Sequence, residues 1–194
     1  MKRFIYGLLL FAFLAMPPIV SFLESHMLLH MYVQMPLLAF AGMLWTPFLQ
    51  AKFPRFFSRW NEDGVPGIVL VSLVVTYWIL PRAMDEAIQF SSVEVFKFIS
   101  WPFFVGVAMK DSWKKLKGRQ RLFSTLYFSF IYGVMGFVYI FAEEQLCNNY
   151  LIVEQRLLGW SFLAISLGAA FYRLRNEALK KRDAAAGRKT KFGS

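Results

Sequence analysis

With 194 residues, 57% of them hydrophobic and only 18% charged, the chain is too apolar for a soluble domain, where about 45–50% and about 25% are usual. Its net charge of +10 would suggest nucleic acid in a soluble protein. Recurrent apolar runs of roughly 18 residues or more make topology the better explanation, so no nucleic-acid partner is expected. A single cysteine, Cys147, excludes an internal disulfide and a Cys-rich metal site.

Lys2 and Arg3 precede the first apolar run, Phe4–Leu23, which Pro17-Pro18 breaks. A basic start and a short apolar core also describe a signal peptide, but no small-x-small cleavage site follows cleanly, so a retained span is expected. The second span, about Ser25 to Leu49, carries both histidines at its start, and Pro36 is placed to kink it. Lys52–Trp60 mixes basic and aromatic residues, as suits an interfacial segment. Val65–Leu80 forms the third span. A polar connection with Arg82, Asp85 and Glu86 leads to the fourth, Val93–Met109, interrupted by Pro102. The strongly basic Lys110–Arg121 precedes the fifth span, Phe123–Phe141. Leu151–Tyr172 is the sixth, after a polar turn, Glu143–Asn149. The expected fold is all-α: a polytopic membrane helix bundle of about six transmembrane helices over residues 1–173. Residues 174–194 form a basic cytoplasmic tail, mobile beyond Ala184.

With the N-terminus inside, every Lys and Arg except Arg82, Lys97 and Arg156 falls in an inner segment. Inner loops accumulate these residues, so both termini are expected in the cytoplasm of a bacterial inner membrane protein. The opposite, outer end collects Glu24, Asp85, Glu86, Glu94, Glu143, Glu144 and Glu154. It also holds His26 and His30, the only two histidines, spaced i, i+4 so that a helix would turn both to one face. Met27, Met31 and Met35 repeat that spacing one position round. Two imidazoles and a thioether are donors that copper accepts, and an acidic mouth attracts cations. His26, His30, Met27 and Met31 are therefore the candidate metal ligands, with Glu24, Asp85, Glu154 and Gln155 as supporting candidates. The plainer alternative is a pair of interfacial histidines beside ordinary methionine packing. A bis-histidine haem and a His-only zinc site both fit poorly. No nucleotide loop, nucleophile elbow or zinc-protease helix is present, so no enzyme is expected.

Three ordered segments resemble the CtaG-type cytochrome c oxidase assembly factors. Ser25-His-Met-Leu-Leu-His-Met31, followed by Pro36 and Gly42, is similar to that family's His-Met-x-x-His-Met helix. Trp78, Pro81, Asp85 and Ala87 match its Trp-x-x-Pro-x-x-x-Asp-x-Ala signature, and Glu154-Gln155 with Gly159 resembles the opening of its last helix. The family commonly has a further N-terminal span and further histidines; here Ile79 replaces one of these, and Glu94 lies where the following helix would supply others. The resemblance implies a divergent, shortened relative: an accessory protein or chaperone aiding assembly or copper loading of a haem-copper oxidase subunit at the outer face. The partners would be that subunit or another membrane redox complex, and membrane lipid. A metal-free structural subunit of such a complex and a small membrane transporter are the alternatives.

Overall fold

The computed structural model describes residues 1–191, with side chains through residue 179 and at Arg182. The elements are α1 (Lys2–Leu14), α2 (Pro17–Glu24), α3 (Met27–Lys52), α4 (Pro54–Trp60), α5 (Val65–Ile79), α6 (Pro81–Gln89), α7 (Ser91–Lys115), α8 (Gly118–Phe141) and α9 (Ile152–Lys191). Among the described residues there is no strand. Prolines set several of the starts: Pro17, Pro54 and Pro81 each open a helix, where the missing N–H costs nothing. The residues before Pro17 and Pro81 are extended, as the proline ring requires.

α3, α7, α8 and the Ile152–Leu179 part of α9 are each long and apolar enough to cross a membrane. The expected first span, Phe4–Leu23, is divided between α1 and α2, which meet at 70°, and the expected third, Val65–Leu80, is α5, which passes as a span only together with α4, met at 82°. Among the described residues there are thus four helices of spanning length, or up to six spans if each bent pair counts as one. This architecture is compatible with a helical membrane bundle. α9 runs across the expected 173/174 boundary without a break as far as Lys191. The expectation of mobility at the extreme end falls partly on residues 192–194, which lie outside the described residues.

α3 and α7 form the centre and run parallel. Gly42 and Gly106 let them touch: a Cβ on Gly42 would stand 1.9 Å from the carbonyl oxygen of Pro102, and one on Gly106 2.1 Å from that of Ala39. Small residues permit this backbone approach between apolar helices, where packing rather than water exclusion drives association. Each central helix carries a π-helical segment, His30–Gln34 in α3 and Trp101–Val107 in α7. Pro36 and Pro102 lie beside or within these segments, and the wider turn accommodates a residue that cannot donate back along the helix.

α1 lies antiparallel on α3, with Phe4 against Phe48 and Phe11 against Trp45. α5 lies antiparallel on α7; Trp78, fully buried, donates its indole N–H to Ser100 at 2.9 Å. α8 and α9 form an antiparallel hairpin, joined by Ser166 Oγ donating to the Ser129 carbonyl at 2.6 Å and by packing of Tyr132 on Phe162. The basic end has its own polar knot. Asp111, 1% exposed, accepts hydrogen bonds from Gln50 (2.6 Å), Lys115 (2.8 Å) and Asn61.

Candidate functional site

The acidic end gathers the C-terminus of α2, the N-termini of α3, α7 and α9, all of α6 and the 142–151 loop. Its centre is a buried ion pair. Lys97 has no exposed side-chain surface and donates to Glu24, whose side chain is 11% exposed. Gln34, also fully buried, bridges the same groups: its Nε2 donates to Glu24 at 3.2 Å and its Oε1 accepts from Lys97 at 3.4 Å. An unpaired ammonium in this position would be prohibitive, so α2, α3 and α7 are joined by charge.

The expected pairing of His26 with His30 on one helical face does not form. α3 begins at Met27, and His26 is its N-cap residue in an extended conformation (φ −132°, ψ 131°). Residues outside the helix do not follow its 3.6-residue spacing. His26 is exposed, with Nδ1 2.8 Å from Ser25 Oγ, whereas His30 is fully buried with Nδ1 2.8 Å from Tyr150 Oη. Burial, joined by the charge of Glu24, pushes the Tyr150 phenol above its ordinary value. The phenol stays protonated and shares this hydrogen bond with Nδ1, the imidazole tautomer setting which of the two donates. Nε2 is buried without a partner.

Met27 (0% exposed) and Met31 (8%) pack in the apolar core with Leu23, Met35 and Met84. The four expected copper donors thus occupy different environments: one imidazole in solvent, one engaged with a phenol, two thioethers in a packed core. Among the described residues no cluster of three or more His, Cys, Asp or Glu side chains could hold a metal ion. Lys97 also acts electrostatically on His30, which opposes a second cation there. The donors that a copper site would use are not paired on one helical face in this arrangement.

The supporting candidates turn out to be tethers. Asp85, 6% exposed, accepts from the backbone N–H of Asn148 (2.7 Å) and of Asn149 (3.4 Å), and from Asn149 Nδ2 (3.2 Å). Gln155, fully buried, accepts from the Leu146 N–H at 2.8 Å and donates to the Tyr139 carbonyl at 3.3 Å. Glu154, the preceding residue, is half-buried. Gln145 donates to the carbonyls of Cys147 and Tyr150, closing the loop on itself. Cys147 lies inside this loop, 0% exposed; burial and then the neighbouring Asp85 charge push its thiol up to about 12.

Lys97, Gln34 and Tyr150 were not among the candidates read from the sequence. Lys97 had left a signal, as a lone cation inside an apolar run on the otherwise acidic side. Gln34 and Tyr150 had none, because their role depends on contacts across 63 and 120 residues.

No protein-family model matches the chain, and no curated protein or solved structure matches it either. What the fold and site define is an all-helical chain with membrane-length apolar helices and a polar cap closed upon itself.

Proposed function

We propose that the chain is a multi-pass accessory protein of the bacterial inner membrane, with both termini in the cytoplasm. It supports assembly of a haem-copper oxidase, or a related membrane redox complex, without carrying the copper itself. The resemblance of three ordered segments to CtaG-type assembly factors supplies the client class. One observation favours the metal-free form: most of the buried polar atoms of the acidic end already have partners, Glu24 with Lys97, His30 Nδ1 with Tyr150 and Asp85 with the 148–149 backbone, while His26 stands apart in solvent. A carrier needs donors free to converge on an ion and release it, and this end is built to stay closed.

The test has two readouts on protein purified from its native membrane. Copper per chain is expected to be negligible, and equally so, in the wild type and in a His26→Ala/His30→Ala variant. Affinity capture is expected to recover subunits of a membrane redox complex with the wild-type chain. About one copper per chain, lost in the double variant, would restore the copper-carrying reading. Capture that recovers no redox subunit would remove the accessory role.

A further inference from the structure

A cleft of about 480 Å³ lies between the α3–α5–α7 layer and the α8–α9 hairpin. That size is within the roughly 300–1,000 Å³ of small-molecule sites. Tyr32 bridges one end by hydrogen bonding to Ser161 (2.7 Å), and the Arg121 guanidinium lies 5.7 Å from the Trp113 ring at the other. Five rings line the cleft: Tyr32, Trp101, Trp113, Phe128 and Tyr132. Met31 and Ala39 are among the apolar residues between them, and no ionisable Asp, Glu, Lys, Arg or His side chain takes part.

Two of the lining side chains have polar atoms with no partner. Trp101 is 8% exposed and its indole Nε1 is buried without an acceptor; Ser129 is 6% exposed and its Oγ is likewise unpaired. An indole N–H can only donate, and a serine hydroxyl donates readily. Buried polar groups are nearly always satisfied, so two unpaired donors along one cleft mark a place for acceptors. The absence of charge from the walls disfavours phosphates, carboxylates and cations between the rings, the one guanidinium near the cleft, Arg121, lying at the end beside Trp113. Aromatic walls suit a flat ring, and donors on two different helices suit a ring with more than one acceptor.

We propose that this cleft binds a quinone-type ligand, a neutral planar ring bearing carbonyl oxygens, with its apolar tail left in the bilayer. Trp101 and Ser129 donate to the carbonyls, and the rings of Tyr32, Phe128 and Tyr132 flank the ring face. The inference stands apart from the oxidase-assembly role and does not depend on it.

The experiment uses the full chain in nanodiscs of ether-linked phospholipid, which lacks ester carbonyls, titrated calorimetrically with a benzoquinone carrying one isoprene unit. Saturable binding near one per chain is expected. Trp101→Phe keeps the ring and removes the donor, and should weaken binding about five-fold, the worth of one neutral hydrogen bond. Ala169→Trp, which fills the cleft from half-buried α9 surface, should abolish it. Absence of saturable binding overturns the proposal, as does binding indifferent to both substitutions. Displacement of the quinone on changing to ester-linked phospholipid would assign the cleft to lipid instead and equally overturn it.

Discussion

A lysine with no exposed side-chain surface in an apolar helix survives only if its charge is met at close range. Glu24 meets that of Lys97, with Gln34 holding both. Removing one partner leaves a buried charge, so Lys97→Met should cost about 3–5 kcal/mol, read as a lowered unfolding midpoint in detergent. The double variant Lys97→Met/Glu24→Gln should recover most of the loss; equal losses in single and double variants would mean that the pair does not act as a unit. Cys147 offers a second test at this scale. Its thiol is raised from 9.0 to about 12 in the fold. The unfolded chain therefore loses the proton first, so the contribution is intact below pH 9 and is lost as pH climbs from 9 through 12. Over that window the wild type should lose stability faster than Cys147→Ala, and below pH 9 the gap between the two should be constant. Copper donors could be nominated from sequence because spacing is visible there. Whether a histidine falls inside a helix or on its cap depends on one residue of helix start, and at His26 that residue decided the outcome.

At the scale of elements, α3 and α7 meet backbone to backbone at Gly42 and Gly106. Gly42→Val forces side-chain atoms into the Pro102 backbone, which cannot yield as a flexible side chain would. Overpacking of a core costs about 1–3 kcal/mol, and a clash with backbone should reach or exceed the top of that range. Gly118→Ala, with nothing within 4 Å of the new Cβ, is the control and should leave the unfolding midpoint unchanged or slightly raised. Loss of folded protein in both variants, or in neither, would contradict this contact. The apolar runs at Val93–Met109, Phe123–Phe141 and Leu151–Tyr172 were legible because length and hydropathy alone specify a spanning helix. The 70° and 82° bends were legible only as prolines and polar residues in the wrong place for a straight span. The π-helical segments left no sequence signal beyond Pro36 and Pro102, since a widened turn depends on what packs against it.

For the whole molecule, charge is the organising quantity. Glu24, Asp85 and Lys97 lie at one end, and Asp111 and Lys115 with the α7–α8 basic connection lie at the other. The Lys and Arg bias is the ground on which we propose cytoplasmic placement of both termini. A fluorescent protein fused to either terminus should fold and fluoresce in cells, while alkaline phosphatase fused within 143–149 should be active. The opposite pattern would invert the molecule. The concentration of Lys and Arg in the expected inner segments was readable from residue counting, because composition is additive along the chain. The tethering of the loop to Asp85 was not, because a carboxylate on a short amphipathic helix gives no indication that a backbone 63 residues later will come to it.

That tether also has a consequence in time. The chain emerges from the ribosome N-terminus first, and Glu24 can find Lys97 once α7 is made. His30 and Asp85, however, wait for Tyr150 and Asn148, and the Leu146 N–H waits for Gln155. Until the loop that carries Asn148 and Tyr150 is made, a histidine and a carboxylate that the finished protein engages are without these partners. Closure of the cap therefore waits until residue 155 has been made, and a partner that enters before then meets a different molecule from one that arrives after.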